Sequence, residues 1–105
     1  MQETVLVYTT WPSAAEAETA GRAMVEAKLC ACANILPGMI SIYAWEGEVE
    51  RGEEAVMILK TRRDLSASLM EAVRAAHPYD TPAIIELPAT AIDPGYGAWI
   101  AAETR

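Results

Sequence analysis

The amino-acid sequence predicts an α+β domain whose elements follow the order β-α-β-β-α-β and end with a further helix. Three observations indicate this order: short β-branched runs, amphipathic stretches that begin with helix-capping signals, and a hairpin-like pair of apolar runs in the middle of the chain. Because 105 residues is the usual length of one domain, we assign residues 1–105 to a single domain.

The first strand and helix are indicated by residues 4–28. Residues 4–10 contain no charged side chain and are rich in β-branched residues, which predicts a strand buried on both faces at the centre of the sheet. Ser13 and Glu16 are spaced as in a capping box, so a helix is expected to follow and to extend to about Lys28. The inward-facing residues of this helix are mostly small and are expected to let it lie close to the sheet; they are Ala17, Ala20, Gly21 and Met24.

The middle of the chain predicts a long hairpin. Residues 30–45 form an apolar run interrupted by Pro37-Gly38, which indicates one long, kinked strand, and residues 54–61 are again β-like. Residues 39–61 are therefore interpreted as a hairpin with a solvated, glutamate-rich tip. Its first arm carries apolar side chains on both faces, Ile40 and Ile42 on one and Met39, Tyr43 and Trp45 on the other. One helix layer cannot cover both faces, so we expect another copy of the chain to do so.

The last third of the chain predicts two helices and a strand. Asp64 is the expected N-cap of a helix through Ala76, which His77-Pro78 ends because the residue before a proline leaves helical angles. The residues of this helix expected to face the core are Leu65, Leu69, Val73 and Ala76. Residues 83–87 are the fourth strand, and Asp93 caps a short final helix with Pro94 in its first turn. The complete order is that of the ferredoxin-like, split βαβ fold, an antiparallel sheet with helices on one face.

Charge and cysteine content exclude several classes of protein. The net charge of −7 argues against nucleic-acid binding, which needs clustered Lys and Arg. No apolar run reaches the roughly 18 residues of a membrane span, and the first ten residues lack the pattern of a signal peptide. Cys30 and Cys32 are the only cysteines, which excludes a disulfide scaffold and suits a reducing compartment. We therefore expect a cytosolic protein without nucleic-acid or membrane partners.

Five short motifs follow one another along the chain in this order: Cys30-Ala-Cys-Ala-Asn34, Ser41-Ile-Tyr-Ala-Trp45-Glu-Gly47, Lys60-Thr61, His77-Pro-Tyr-Asp-Thr-Pro82 and Tyr96-Gly-Ala-Trp99. With these motifs, residues 3–102 resemble the CutA divalent-cation tolerance family. The resemblance implies a tight homotrimer of ferredoxin-like subunits, similar in assembly to the PII-type signalling proteins. It also implies a role in tolerance of copper and other divalent cations, without a defined reaction.

His77 is the candidate metal ligand, because it is the sole histidine and an imidazole nitrogen can bind copper or another divalent cation. The alternative is that His77 hydrogen-bonds to the backbone at the helix end and fixes the loop of Tyr79. Family members linked to copper carry a second histidine and a cysteine at two further positions, which are Ala76 and Thr9 in this chain. The resemblance therefore assigns His77 alone, and metal binding is expected to be weak.

Lys60, Trp45 and Tyr79 are the candidates for a ligand cleft between subunits, where Lys60 would hold a small anion. The alternative for Lys60 is an ion pair with a hairpin glutamate. Cys30 and Cys32 are interpreted as buried packing residues, with soft-metal or redox chemistry as the alternative. The acidic tip is interpreted as a solvated face rather than a site for hard cations; its glutamates are Glu46, Glu48, Glu50, Glu53 and Glu54.

Three functional hypotheses remain open at this point. The first is a metal-tolerance trimer that binds divalent ions through His77. The second is a PII-like signalling or adaptor trimer that binds a small anionic ligand, and the third is a scaffold without a ligand. Catalysis is not expected, because the chain has one histidine and no P-loop, dinucleotide or metalloprotease motif. For the same reason we expect no organic cofactor.

Overall fold

The computed structural model describes residues 3–105. This part of the chain contains four strands, three α-helices and a short 3₁₀ turn at Arg63–Leu65. In chain order the elements are β1 (Thr4–Trp11), α1 (Ala14–Glu26), β2 (Cys32–Trp45), β3 (Glu48–Arg62), α2 (Ser66–Ala76), β4 (Ile84–Pro88) and α3 (Pro94–Glu103). The strands form one sheet in the order β2-β3-β1-β4, and every neighbouring pair is antiparallel. The predicted ferredoxin-like α+β fold, with β1 in the interior of the sheet, is confirmed.

Helix α1 lies close to the sheet because its inner face consists of small residues. The Ser13 hydroxyl accepts a hydrogen bond from the backbone N–H of Glu16 at 3.2 Å, as the capping box predicts. The four residues predicted to face inward are all buried. A Cβ atom at Gly21 would lie 2.7 Å from the sulfur of Met57 on β3, so a larger residue there would force the Met57 side chain to shift. The helix ends at Glu26, two residues earlier than predicted, and Lys28 adopts the left-handed φ of 60°.

Strands β2 and β3 form a long arm that extends to the tip of the hairpin. They pair from Cys32 opposite Lys60 to Trp45 opposite Glu48, with a shift of register between Leu36 and Met39. This shift is the predicted kink, and Gly38 within it has a φ of 78°. Strand β3 begins at Glu48, six residues before the predicted start. The acidic sequence does not favour a strand there, but pairing with the apolar β2 overrides that preference.

Helix α2 begins without a side-chain cap, so the prediction that Asp64 is its N-cap was wrong. The N-cap residue is Leu65, which makes no capping hydrogen bond. Instead, the Asp64 carboxylate accepts two bonds from Arg62, from Nε at 3.0 Å and from Nη2 at 3.1 Å. Arg62 is a stronger partner for the Asp64 carboxylate than the N–H groups of the helix, because its guanidinium can bond both carboxylate oxygens at once. The Asp93 cap of α3 is confirmed, since its carboxylate accepts from the Tyr96 N–H at 3.1 Å.

The two faces of the sheet are covered unequally. Helices α1 and α2 pack on one face, where Val7, Trp11, Leu69 and Val73 belong to a single buried cluster. Within α2 the prediction holds for Leu69 and Val73, whereas Leu65 is half-buried and Ala76 is exposed. Large apolar side chains remain exposed beyond the helices; on the arm they include Leu36, Ile40, Ile42, Trp45 and Val49, and on β4 Ile85 and Leu87. One chain therefore leaves a large apolar surface open, as its sequence predicts.

Candidate functional site

The predicted site residues lie in two separate regions of the sheet. Lys60 is opposite Leu6 on β1, whereas Thr10, the backbone partner of His77, is opposite Val56. Four residues along a strand span about 13 Å. The structure thus groups His77 with Tyr79 near the end of β1 and places Lys60 towards its start.

His77 uses both ring nitrogens to hold the backbone. The side chain is buried, and Nδ1 accepts a hydrogen bond from the backbone N–H of Tyr79 at 3.2 Å. A neutral imidazole has one acceptor and one donor, so Nε2 must carry the proton. Nε2 then donates to the carbonyl oxygen of Thr10 at 2.6 Å. This arrangement is the one that the backbone-bonding alternative predicts, and it ties the loop after α2 to β1.

Aromatic rings enclose the imidazole on two sides. Its centroid lies 4.2 Å from that of Trp11 and 4.7 Å from that of Tyr79. The Trp11 indole N–H donates to the Thr9 hydroxyl at 2.7 Å, which in turn donates to the carbonyl of Met57 at 2.8 Å. Thr9 is fully buried in these bonds. The Thr9 side chain therefore serves as a structural hydroxyl that links β1 to β3.

Tyr79 connects the His77 loop to the arm. Its hydroxyl donates to Glu54 Oε2 at 3.1 Å, while Ser41 donates to Oε1 of the same carboxylate at 2.7 Å. Burial, followed by the hydrogen bond and charge of Glu54, raises the pKa of Tyr79 to about 12. The phenol therefore stays protonated and acts as a hydrogen-bond donor at neutral pH.

A groove of about 650 Å³ lies between the Tyr79 loop and the arm. We call it the arm groove and define it by three aromatic and three acidic residues that line it, which are Tyr43, Trp45, Tyr79, Glu53, Glu54 and Asp80. Because side chains alternate along a strand, Glu53 points to the other face of β3, where it lies beside Arg51. The arm groove thus brings together two of the three residues of the predicted cleft, Trp45 and Tyr79. Lys60 is not among its lining residues.

Lys60 lies beside Tyr96 of α3. Its Nζ donates to the Tyr96 hydroxyl at 3.1 Å and lies 5.3 Å from the centre of that ring. The Cys32 sulfur is 3.6 Å from the same hydroxyl. Within residues 3–105, Lys60 forms no ion pair with a hairpin glutamate. Tyr96 is therefore the partner of Lys60 that the sequence did not reveal.

The two cysteines differ in environment. Cys30 is fully buried, and burial together with the neighbouring Cys32 raises the pKa of its thiol to about 12. Cys32 is half-buried, and both are free thiols. The protonated, enclosed Cys30 fits the packing role predicted for it.

No three His, Cys, Asp or Glu side chains within residues 3–105 are arranged to hold a metal ion. At the tip of the arm Glu46, Glu48, Glu50 and Glu53 are exposed as predicted, and Glu53 is 3.6 Å from Arg51. The prediction was wrong for Glu54, which is half-buried because its carboxylate accepts hydrogen bonds from Ser41 and Tyr79. A metal ion at His77 would thus need ligands beyond this group, and it would compete with the Tyr79 N–H for the lone pair of Nδ1.

Comparison with known proteins identifies the family. The model of the family described as "CutA1 divalent ion tolerance protein" matches residues 5–103. The chain belongs to this family. The divalent-cation tolerance protein CutA of Thermus thermophilus is 41% identical over 104 residues, which cover 99% of each chain. The chloroplastic CutA of Arabidopsis thaliana is also 41% identical, over 101 residues that cover 96% of this chain and 56% of that protein.

Solved CutA structures share the fold. CutA1 of Ehrlichia chaffeensis superposes with a TM-score of 0.96 at 38% identity, covering 100% of this chain and 98% of the other. CutA1 of Oryza sativa gives 0.95 at 38% identity, covering 99% and 95%. The relatives are named as tolerance proteins rather than enzymes. Their names refer to different compartments, since the Archaeoglobus fulgidus structure is called periplasmic. Within residues 3–105, none of the helices is both long and apolar enough to cross a membrane.

One part of this CutA chain's site was missed by sequence analysis: the carboxylate of Glu54 between Ser41 and Tyr79. Alternation along β2 and β3 could have placed Glu54 beside Ser41 only with a known register. The bulge between Leu36 and Met39 shifts that register. The Pro37-Gly38 dipeptide indicates a bulge but does not specify by how many residues the register shifts.

Proposed function

We propose that this chain acts in divalent-cation tolerance, copper included, as a cytosolic homotrimer that binds the metal weakly through His77. Family membership supports the general role, because the relatives at about 40% identity are named divalent-cation tolerance proteins. The two free thiols fit a reducing compartment such as the cytosol.

The metal assignment rests on His77 Nδ1, which has a lone pair that a metal ion can bind. This nitrogen is unprotonated and holds its lone pair in one hydrogen bond of 3.2 Å from the Tyr79 N–H. A divalent ion can take the lone pair if that N–H turns away, and the cost of the lost bond lowers the affinity. Water or a neighbouring copy would supply the remaining ligands. Weak binding is the expected result.

The proposed assembly is supported by the apolar surface that one chain leaves open. Ile42 and Val49 on the arm are 73% and 77% exposed. Apolar patches of this kind mark surfaces that a partner covers. A second and third copy of the same chain are the partners that the CutA resemblance implies, and no other protein partner is proposed.

A catalytic role is not part of the proposal. A nucleophile needs a base within hydrogen-bond reach. In residues 3–105 the ring nitrogens of the sole histidine bond to backbone atoms of Thr10 and Tyr79. His77 is therefore engaged in structure rather than in activating a hydroxyl or thiol.

Calorimetric titration with Cu²⁺ and Zn²⁺ tests the metal site. We expect one weak site per chain in the wild type and in Lys60→Ala, and its loss in His77→Gln, which can still donate and accept hydrogen bonds but is a poor ligand. Equal metal binding by wild type and His77→Gln would contradict the assignment. Sedimentation equilibrium tests the assembly independently, with an expected mass three times the 11.4 kDa of one chain.

A further inference from the structure

We propose that Glu54 is a positioning residue that acts through Tyr79 and controls how readily His77 releases the lone pair of Nδ1. This inference deepens the proposed function and rests on it, because a metal ion at His77 would bind the same lone pair. Three hydrogen bonds carry it, and each of them joins atoms of one chain. We call the four residues that they connect the relay: Ser41, Glu54, Tyr79 and His77.

The relay begins on the arm. Ser41 on β2 donates to Oε1 of Glu54 on β3 at 2.7 Å, so the neighbouring strand holds this carboxylate in place. The Tyr79 hydroxyl donates to the other oxygen, Oε2, at 3.1 Å. Hydrogen bonds to an ionised acceptor are stronger than those to a neutral one. Glu54 therefore anchors the side chain of Tyr79 to the arm.

Tyr79 is held at two ends. Its hydroxyl bonds to Glu54, and its backbone N–H donates to His77 Nδ1 at 3.2 Å. Its ring centroid also lies 4.7 Å from that of the imidazole. Pro78 has a fixed φ angle, which leaves the N–H little freedom to turn while the rest of Tyr79 stays in place. Opening the bond to His77 therefore weakens the bond to Glu54.

The sheet sets the positions of both anchors. His77 Nε2 donates to the carbonyl of Thr10, and Thr10 is opposite Val56, which is two residues along β3 from Glu54. Two residues along a strand span about 7 Å. A single pair of neighbouring strands thus holds His77 through Thr10 and Tyr79 through Glu54. The position of Glu54 on β3 thereby keeps the Tyr79 N–H against the imidazole.

The consequence of the relay is a lower metal affinity. An ion at Nδ1 of His77 needs the lone pair that the Tyr79 N–H occupies, so residue 79 has to move and give up its bond with Glu54. One such hydrogen bond changes an equilibrium about fivefold. By reciprocity, an ion at Nδ1 weakens the bond between Tyr79 and Glu54 by the same factor. Metal binding and the anchoring of the loop to the arm therefore oppose each other.

Amide hydrogen exchange of the metal-free protein tests the relay directly. Tyr79→Phe removes the hydroxyl and keeps the ring, so the amide of residue 79 should exchange about fivefold faster than in the wild type. Tyr43→Phe is the matched control. It removes a hydroxyl from the same groove that takes part in none of the three relay bonds. Exchange at residue 79 should not change in this variant.

Calorimetric titration of the complete protein with Zn²⁺ measures the effect on the metal. Tyr79→Phe should bind Zn²⁺ about fivefold more tightly than the wild type. The same substitution should change nothing in a Glu54→Ala background, where the hydroxyl has no carboxylate to bind. This double-mutant cycle separates the hydrogen bond from the loss of the Glu54 charge. A purely structural role would weaken metal binding rather than tighten it, and the sedimentation mass shows whether each variant assembles like the wild type.

Three results overturn the proposal: exchange at residue 79 that Tyr79→Phe leaves unchanged, equal acceleration by Tyr43→Phe, or an effect of Tyr79→Phe on Zn²⁺ binding that persists in Glu54→Ala. The proposed function is judged separately. Zn²⁺ binding that His77→Gln abolishes but Tyr79→Phe does not tighten supports the proposed function and overturns this inference. Faster exchange in Tyr79→Phe, without Zn²⁺ binding by any variant, supports the relay and overturns the proposed function.

Discussion

The backbone N–H of Tyr79 donates to Nδ1 of His77 across 3.2 Å, and this bond selects the tautomer of the sole histidine. Because Nδ1 accepts, Nε2 donates to Thr10 on β1. One side chain thereby joins the end of α2, the loop that follows and an interior strand of the sheet. A metal ion that binds Nδ1 of His77 would have to displace this hydrogen bond from the Tyr79 N–H.

Replacing His77 should destabilise the protein according to the hydrogen bonds that are lost. His77→Ala removes the hydrogen-bond partners of the Thr10 carbonyl and the Tyr79 N–H and opens a cavity beside Trp11, which should cost about 2–4 kcal/mol. His77→Gln should cost less because it retains a donor and an acceptor. Urea denaturation at one fixed chain concentration measures both. Equal losses would show that packing, rather than hydrogen bonding, is the role of the ring.

Gly21→Ala should destabilise the contact between α1 and the sheet by about 1–3 kcal/mol. Its new methyl group would lie 2.7 Å from the Met57 sulfur and 3.1 Å from the Ala33 Cβ. Gly97→Ala on α3 is the matched control, because its methyl group would meet Ile92 at an ordinary 3.4 Å and alanine favours a helix. We expect a lower denaturation midpoint for the first variant alone. A stability unchanged by Gly21→Ala would mean that Met57 moves aside freely.

Tyr79 should ionise later than an ordinary tyrosine. Its pKa of about 12 lies above the reference value of 10.0, so ultraviolet titration should show one of the four tyrosines ionising late. Because the folded state holds this proton more tightly, its contribution to stability is complete below pH 10 and is lost as the pH rises towards 12. Glu54→Gln should lower the Tyr79 pKa only in part, since burial is the largest cause. If the Tyr79 pKa returned to 10.0 in Glu54→Gln, burial would not be the largest cause of its shift.

The thiol of Cys30 should be nearly inert in the folded protein. With its pKa raised from 9.0 to about 12, the thiolate fraction at neutral pH falls about a thousandfold relative to the unfolded chain. Thiol labelling of the Cys32→Ser variant, followed by mass spectrometry with and without urea, tests this protection, which should persist because burial is the larger cause and Cys32 the smaller one. Rapid labelling of Cys30 under native conditions would contradict its burial.

A charge on the open surface of the arm should break the proposed assembly. Ile42→Asp introduces a carboxylate where we expect a neighbouring copy to pack, so the sedimentation mass should fall towards that of one chain. Val25→Asp is the control, because Val25 is exposed on α1 and lies beside Ala33 and Ile35 at the base of β2 rather than near Ile42. An unchanged mass for Ile42→Asp, with its circular dichroism preserved, would place the interface elsewhere.

Sequence reasoning succeeded where the deciding interactions are local. Ser13 and Asp93 cap their helices through N–H groups three residues away, and the proline after His77 ends α2. The same reasoning failed at Asp64, because Arg62 offered its carboxylate a better partner than the helix N-terminus. It also missed the first six residues of β3, whose strand form depends on pairing with β2.

The sequence by itself determined the ferredoxin-like order of elements, the buried face of α1, the apolar surplus of the arm and the family. Only the tertiary structure decided which side chains meet: Tyr79 with Glu54, Lys60 with Tyr96, and both nitrogens of His77 with the backbone. The physical reason is distance along the chain. Caps and periodicity act within a few residues, whereas these contacts depend on sheet register and on a bulge whose size the sequence does not specify.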